Sequence, residues 1–315
     1  MCCLISTPSP IISAKKKKSQ SVINPKYENR TSKKPKKLNS LNETGKGEQS
    51  VQPILSYLID VDTLRTLIRK KAIRVVDVRR TEEYNQEHIE SAVSIPLATV
   101  LEAESPEKVI AIMQGAGIGD HMPVAVYDDT FGALAARVAW TFQYVGHANT
   151  SLLEVTFSQW KNHGLETEKK INKFPLTYHT LNLNRDIYAD AEYVERTQRL
   201  ENNFLLDSRE RLNFLTEHIP GATNLPYTML GTQESILRTT SELKRFLENR
   251  RINSESEVVA YCGSVGTLSG LAYYALKMAG VKNVRLYSKS FNDWKRLGKP
   301  VDEFSDANYW DLSAE

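Results

Sequence analysis

The chain of 315 residues has only three cysteines, and two of them, Cys2 and Cys3, are neighbours. A disulfide framework is therefore excluded, and a reducing compartment fits best. Its six histidines form no ligand-spaced cluster with the cysteines. This disfavours a metal enzyme, and neither metal nor cofactor is expected. No apolar run approaches the roughly eighteen residues of a membrane span. No apolar core follows a charged start, as a secretory signal would require. Acidic residues are scarce at the beginning, where residues 1–50 hold only Glu28, Glu43 and Glu48 against eleven Lys or Arg. That stretch carries +8 and leaves the rest at −5 within a whole-chain charge of +3.

What the leader does contain is Ser, Asn, Pro and lysine runs such as "AKKKKSQS" and "SKKPKKLNS". Such a composition cannot bury enough apolar surface to offset the entropy of ordering, so residues 1–50 are expected to be a disordered basic tail. An organelle transit peptide, an acylated polybasic contact after "MCC" and a nuclear address in "KKPKK" compete with a plain solvated tail. The plain tail is adopted, with a cytoplasmic location and a mitochondrial one as the alternative. Apart from the tail's charge, nothing points to nucleic-acid binding.

The remainder repeats itself. Residues 124–164 align with 258–298 at a constant offset of 134, placing Tyr127 on Tyr261, Gly132 on Gly266, Gly146 on Gly280 and Trp160 on Trp294. Residues 75–96 align with 205–226 at an offset of 130, placing Asp77 on Asp207, Arg79 on Arg209 and His88 on His218. Self-similarity at a fixed spacing means two copies of one unit. The boundaries read as 51–168 for the first copy, 169–182 for a linker and 183–315 for the second.

Within the second copy, "FLLDS", "EVVAYC" and "VRLYS" read as strands, while "TSELKRFLENRRI" and "GTLSGLAYYALKMAG" read as helices. That alternation predicts an α/β fold, each copy a parallel sheet with helices on both faces. Ligands bind such sheets beyond the carboxyl ends of strands, and Cys262 ends one. It also precedes a helix start, where unsatisfied amides and the helix dipole favour an anion and hence a thiolate. Buried cysteines often only pack, however. The repeat weighs against that here, because the position matching Cys262 holds Asp128.

Tandem copies, the "DSR…EHIPGA" segment, the cysteine of "CGSVGT" and the closing "SFNDWKRLGKPV" resemble a two-domain rhodanese-type sulfurtransferase of the thiosulfate/3-mercaptopyruvate kind. The resemblance covers roughly residues 54–305. It implies that the first copy lacks the catalytic cysteine and that Cys262 carries a persulfide between donor and acceptor. The implied donors are 3-mercaptopyruvate and thiosulfate; the implied acceptors are cyanide, a small thiol or thioredoxin. The loop residues Gly263, Ser264, Val265, Gly266 and Thr267 would cradle the anion. Gly263-Ser264 matches the mercaptopyruvate pattern, and Arg209 matches the position where relatives bind the donor carboxylate. Three departures stand out: Val265-Gly266 reverses the family order, an arginine-bearing insertion is missing, and no aspartate from the first copy matches securely. Only Arg211 stands near the missing insertion.

Two other functions compete. A phosphatase loop would place an arginine six residues after the cysteine, where this chain has Leu268. A non-catalytic rhodanese-like binding module would keep the fold and leave Cys262 as a bystander.

Overall fold

The computed structural model describes residues 54–197 and 199–303. The basic tail expected over 1–50, with Cys2 and Cys3, lies outside the described residues. Short apolar runs rich in Val, Leu and Ile become strands, as residues buried on both faces of a sheet require. In the first copy these are β1 (Leu58–Ile59), β2 (Arg74–Asp77), β3 (His88–Ile89), β4 (Val93–Ser94), β5 (Val124–Tyr127), β6 (Thr150–Leu153) and β7 (Thr167–Glu168). In the second they are β8 (Asn203–Asp207), β9 (Ala222–Asn224), β10 (Glu257–Tyr261) and β11 (Asn283–Leu286).

The first sheet runs β1-β6-β5-β2-β4 and the second β11-β10-β8-β9, with every pairing in both parallel. Two features of the first copy survive in the second as single bridges. Edge strand β1 has the bridge Tyr188 to Leu286 as its counterpart, and the antiparallel β3–β7 pair has the bridge His218 to Asp302. The helix expected over "TSELKRFLENRRI" ends early, at Glu248. Arg251 takes a left-handed φ of 60°, and the chain turns there to bury Ile252.

Side chains alternate across each sheet. Val75, Ala125 and Tyr127 point to an outer core confined to the first copy, while Val259 and Tyr261 do the same in the second. Their neighbours Val76, Val124, Val126, Val258 and Ala260 point the other way, into one core shared by both copies. Two helices fill that shared core, Ala133–Tyr144 and Thr267–Met278. They cross at equivalent positions of the repeat. A Cβ built on Gly270 would lie 3.3 Å from the Ala136 carbonyl carbon and from the Arg137 amide nitrogen. The small residue there lets the backbones meet, and each helix leans over the other copy's loop.

The segment between the copies is fastened to the first. Thr180 donates its amide to Asp120, and the Asn182 and Asn184 amides reach the Val145 and Tyr144 carbonyls. Buried His179 contacts His147, Nε2 to Nδ1, at 2.9 Å, while the His147 Nε2 faces the Met122 carbonyl at 2.9 Å. Burial pushes the His147 pKa from 6.5 down to about 4, and neighbouring His179 pushes it the same way.

A depressed histidine pKa means that the unfolded chain binds the extra proton first. This contribution to stability is therefore present above pH 6.5 and lost as pH falls towards about 4. We expect urea unfolding to reveal a loss of up to ~3 kcal/mol across that window beyond what His147→Gln shows. Parallel pH profiles for the two proteins would refute this.

Candidate active site

Each copy ends its central strand in a loop that turns into the helix of the shared core. In the first copy the loop begins with Asp128, whose buried carboxylate accepts four backbone hydrogen bonds. Thr130 and Gly132 donate to Oδ1 at 2.8 and 2.9 Å; Leu134 and Ala135 donate to Oδ2 at 2.7 and 2.9 Å. Burial raises the Asp128 pKa, and the four amides oppose that shift. This loop is an anion cradle made of main chain, and the first copy fills it with its own side chain. At the repeat offset the equivalent amides of the second copy belong to Ser264, Gly266, Leu268 and Ser269.

The second copy puts Cys262 where Asp128 stands. Its side chain is 2% exposed at the end of β10, the strand flanked by β8 and β11. Beyond it Ser264 and Val265 are exposed, so a solvent-facing rim surrounds a buried sulfur. Gly266 caps the following helix at φ 78°, as Gly132 does at φ 85° in the first copy. A Cβ at Gly266 would lie 3.1 Å from both the Cα and the carbonyl oxygen of Ser288. Only glycine fits that conformation and space, which accounts for the Val265-Gly266 order in this chain.

Sequence reasoning missed three hydroxyls. The Ser290 Oγ accepts the Cys262 amide at 3.1 Å, lies 3.6 Å from Cys262 Sγ, and donates to the Tyr287 carbonyl at 2.9 Å. Ser290 has a left-handed φ of 60°, rare for a residue with a Cβ. Its counterpart Thr156 has φ −73° and an ordinary capping box with Gln159. Ser208 follows Asp207, whose strand partner is Tyr261, so it stands level with Cys262 on the same side of the sheet. Ser269 lies in the first helical turn. The hydroxyls of both are buried and have no hydrogen-bond partner among the described residues. The equivalent positions in the first copy hold Val78 and Ala135. The only signal for these residues was the comparison of the two copies.

Arg209 is committed elsewhere. Its Nε donates to both Asp207 oxygens at 3.0 Å, and one Nη donates to Asp207 Oδ2 and the Glu217 carbonyl, each at 2.6 Å. Arg79 makes the same set with Asp77 and Glu87 in the copy without the thiol. Tyr127 donates to Asp77 at 2.5 Å and accepts the Ile89 amide; Tyr261 accepts the Ile219 amide. A constellation present in both copies gives Arg209 a structural role that it shares with Arg79.

One residue reaches the Cys262 loop from the other copy. Arg137, on the helix Ala133–Tyr144, donates its Nε to the Val265 carbonyl at 2.7 Å. A cavity of about 530 Å³ opens on the opposite side, at the Asp128 loop, where Phe131, Gln159, Tyr227, Gln233, Ile236 and Leu271 line it. Leu271 is the repeat counterpart of Arg137, so this cavity is the matching cleft of the copy that has no thiol. Among the described residues no helix is long and apolar enough to cross a membrane, and no group of acidic, His or Cys side chains could hold a metal ion.

The rhodanese-like domain family matches residues 60–163 and again 190–297. A putative thiosulfate sulfurtransferase of Haloferax volcanii is 26% identical over 74% of this chain and 89% of its own length. The 3-mercaptopyruvate sulfurtransferase of Escherichia coli K12 is 24% identical over 78% of this chain and 98% of its own. Among solved structures, the Escherichia coli 3-mercaptopyruvate enzyme superposes with a TM-score of 0.67 at 24% identity, over 75% of this chain and 99% of that one. The Tum1 protein of Saccharomyces cerevisiae superposes at 0.68 and 20% identity, over 81% and 100%. These two superpositions speak for the fold.

Emptying the first cradle should be costly. Asp128→Ala leaves four backbone amides, two of them buried, without their acceptor, and urea unfolding should show a loss of about 1–3 kcal/mol. Asp128→Asn, which keeps one acceptor oxygen, should lose less. Equal stability of all three proteins would mean that the cradle does not need an anion.

Proposed function

The chain belongs to the rhodanese-like family, and from that premise we propose that it is a sulfurtransferase with Cys262 as its nucleophile. One observation carries the reading. The loop that holds a carboxylate on four amides in the first copy is repeated in the second with a thiol in the carboxylate's place. Amides aimed at a negative charge need no reorganisation when the charge forms, and by analogy with the first copy we assign those of Ser264, Gly266, Leu268 and Ser269 to the thiolate and persulfide.

The reaction is a double displacement. The Cys262 thiolate attacks the outer sulfur of the donor, forming a new S–S bond and breaking the donor's bond to that sulfur. Thiosulfate leaves as sulfite. From 3-mercaptopyruvate the C–S bond breaks, and the carbon takes up the proton of the donor thiol to give pyruvate. Either way a persulfide anion remains on Cys262. An acceptor then attacks its terminal sulfur and regenerates the thiolate; cyanide, a small thiol and thioredoxin are the acceptors we assign. The loop residues Gly263, Ser264, Val265, Gly266 and Thr267 form the cradle. The Ser208 and Ser269 hydroxyls, buried without partners in this copy alone, suit a second charged sulfur above the first.

We assign 3-mercaptopyruvate as the preferred donor. Gly263-Ser264 matches the mercaptopyruvate pattern, and we give the exposed Ser264 hydroxyl the role of passing a proton to the departing carbon. Because the thiol must stay reduced, the cytoplasm is the location we assign, with the mitochondrion as the alternative.

Treatment with either donor, removal of the excess and intact-mass measurement should reveal one added sulfur, mapped to Cys262. Cys262→Ser should take up none and lose sulfur transfer while keeping its unfolding transition. A protein that no donor loads, with its thiol free, would instead be a non-catalytic binding module. Ser264→Ala should lower mercaptopyruvate turnover by roughly tenfold or more and thiosulfate turnover less. Equal losses would remove the donor preference.

A further inference from the structure

The duplication allows each position around Cys262 to be compared with one around Asp128. Where Arg137 of the first copy overhangs the thiol loop, Leu271 of the second overhangs the thiol-free loop. The difference extends to the support. Thr141 accepts a hydrogen bond from one Arg137 Nη and returns one from its Oγ1 to the Arg137 carbonyl at 2.8 Å; its counterpart is Ala275. The Trp140 ring lies 5.2 Å from the Arg137 guanidinium carbon. An arginine with its own clamp thus stands only over the loop that carries the nucleophile.

Its position is fixed by the helix crossing. Gly270 meets Ala136 and the Arg137 backbone, so the next side chain must run along the second copy's loop, and the Arg137 Cδ lies 3.4 Å from the space a Gly266 Cβ would fill. Nε serves the Val265 carbonyl and Nη1 serves Thr141. The other terminal nitrogen has no hydrogen-bond partner among the described residues. Burial lowers the Arg137 pKa to about 10, and its electrostatic interaction with Cys262 opposes that shift. At neutral pH the guanidinium is charged, partly desolvated and one anion short of satisfaction.

We propose that Arg137, contributed by the thiol-free copy, binds the anionic end of the sulfur donor at the mouth of the Cys262 loop and selects for anionic donors. The inference rests on the sulfurtransferase reading and gives it a specificity determinant. The carboxylate of 3-mercaptopyruvate or the sulfonate oxygens of thiosulfate would take the terminal N–H groups while the outer sulfur faces Cys262. The first copy then belongs to the site despite having no nucleophile. It also supplies a cation that the loop itself does not offer.

The test compares a charged donor with its neutral analogue. Mercaptoacetone carries the same transferable sulfur as 3-mercaptopyruvate but no carboxylate, and would leave as acetone. Rates of persulfide loading on Cys262, read by intact mass, would be taken for the native protein, Arg137→Met and Arg137→Lys. We expect Arg137→Met to load about tenfold or more slowly from 3-mercaptopyruvate and thiosulfate, with mercaptoacetone loading unchanged within about twofold. Arg137→Lys should recover part of the loss. Equal losses for charged and neutral donors would make Arg137 a strut for the loop and overturn the proposal, as would no loss at all. Native protein that no donor loads would overturn the sulfurtransferase reading itself, and this inference with it.

Discussion

Backbone amides converging at the start of a helix cannot be left without an acceptor, and both halves of this molecule are organised around that constraint. The first copy answers it covalently: Asp128 is part of the chain, always present and held by four hydrogen bonds. A permanently filled cradle cannot take a ligand, and the cavity beside it is lined by side-chain-bearing residues of both copies such as Phe131 and Tyr227. In the second copy the equivalent loop begins with the Cys262 thiol, whose charge would vary along the reaction proposed above. One residue difference thus separates a closed structural loop from an open chemical one.

The helix crossing turns two such loops into one machine. Ala136 and Gly270 are equivalent residues that meet each other, so whatever follows them reaches the opposite copy. A duplicated domain joined in this way cannot dispense with its silent half, because the helix that covers the live loop belongs to it. The single core running through both copies has the same consequence for stability, since neither inner sheet face is buried without its partner.

The fold was largely legible in the sequence, which also singled out the nucleophile proposed here. Apolar runs of strand length, helical periodicity and a constant offset sufficed for two parallel α/β units, and Asp128 opposite Cys262 marked the thiol as chemical. Arg209 was legible by its place in a motif, as the donor-carboxylate ligand that the resemblance implies, while its hydrogen bonds to Asp207 and the Glu217 carbonyl show only in the structure. Arg137 was invisible for the opposite reason. It sits mid-helix in the copy without a thiol, and nothing linear connects it to Val265, 128 residues away. The offset held the clue in the pairing of Arg137 with Leu271, but its meaning depends on a crossing that the sequence does not encode locally. The shortened "TSELKRFLENRRI" helix is a smaller case, in which a left-handed Arg251 and a buried Ile252 outweigh helical periodicity.

One difference in backbone conformation, at Ser290, disfavours stability in the second copy. Thr156 begins its helix with a reciprocal capping box, a motif whose loss typically costs about 1 kcal/mol. Ser290, at the same place, makes no such cap and sits in the left-handed region, a conformation that costs roughly 1–3 kcal/mol for a residue with a Cβ. The hydroxyl it presents accepts the Cys262 amide and lies within reach of the sulfur. Asp293, where Gln159 completes the box in the first copy, is drawn away to the Tyr287 hydroxyl at 2.8 Å. Together with the two unpartnered serines, these losses fall in one copy and at one end of one sheet. Val78 and Ala135 show that packing at these positions needs no hydroxyl, and the proposed persulfide supplies a charged sulfur for the hydroxyls beside Cys262 to face.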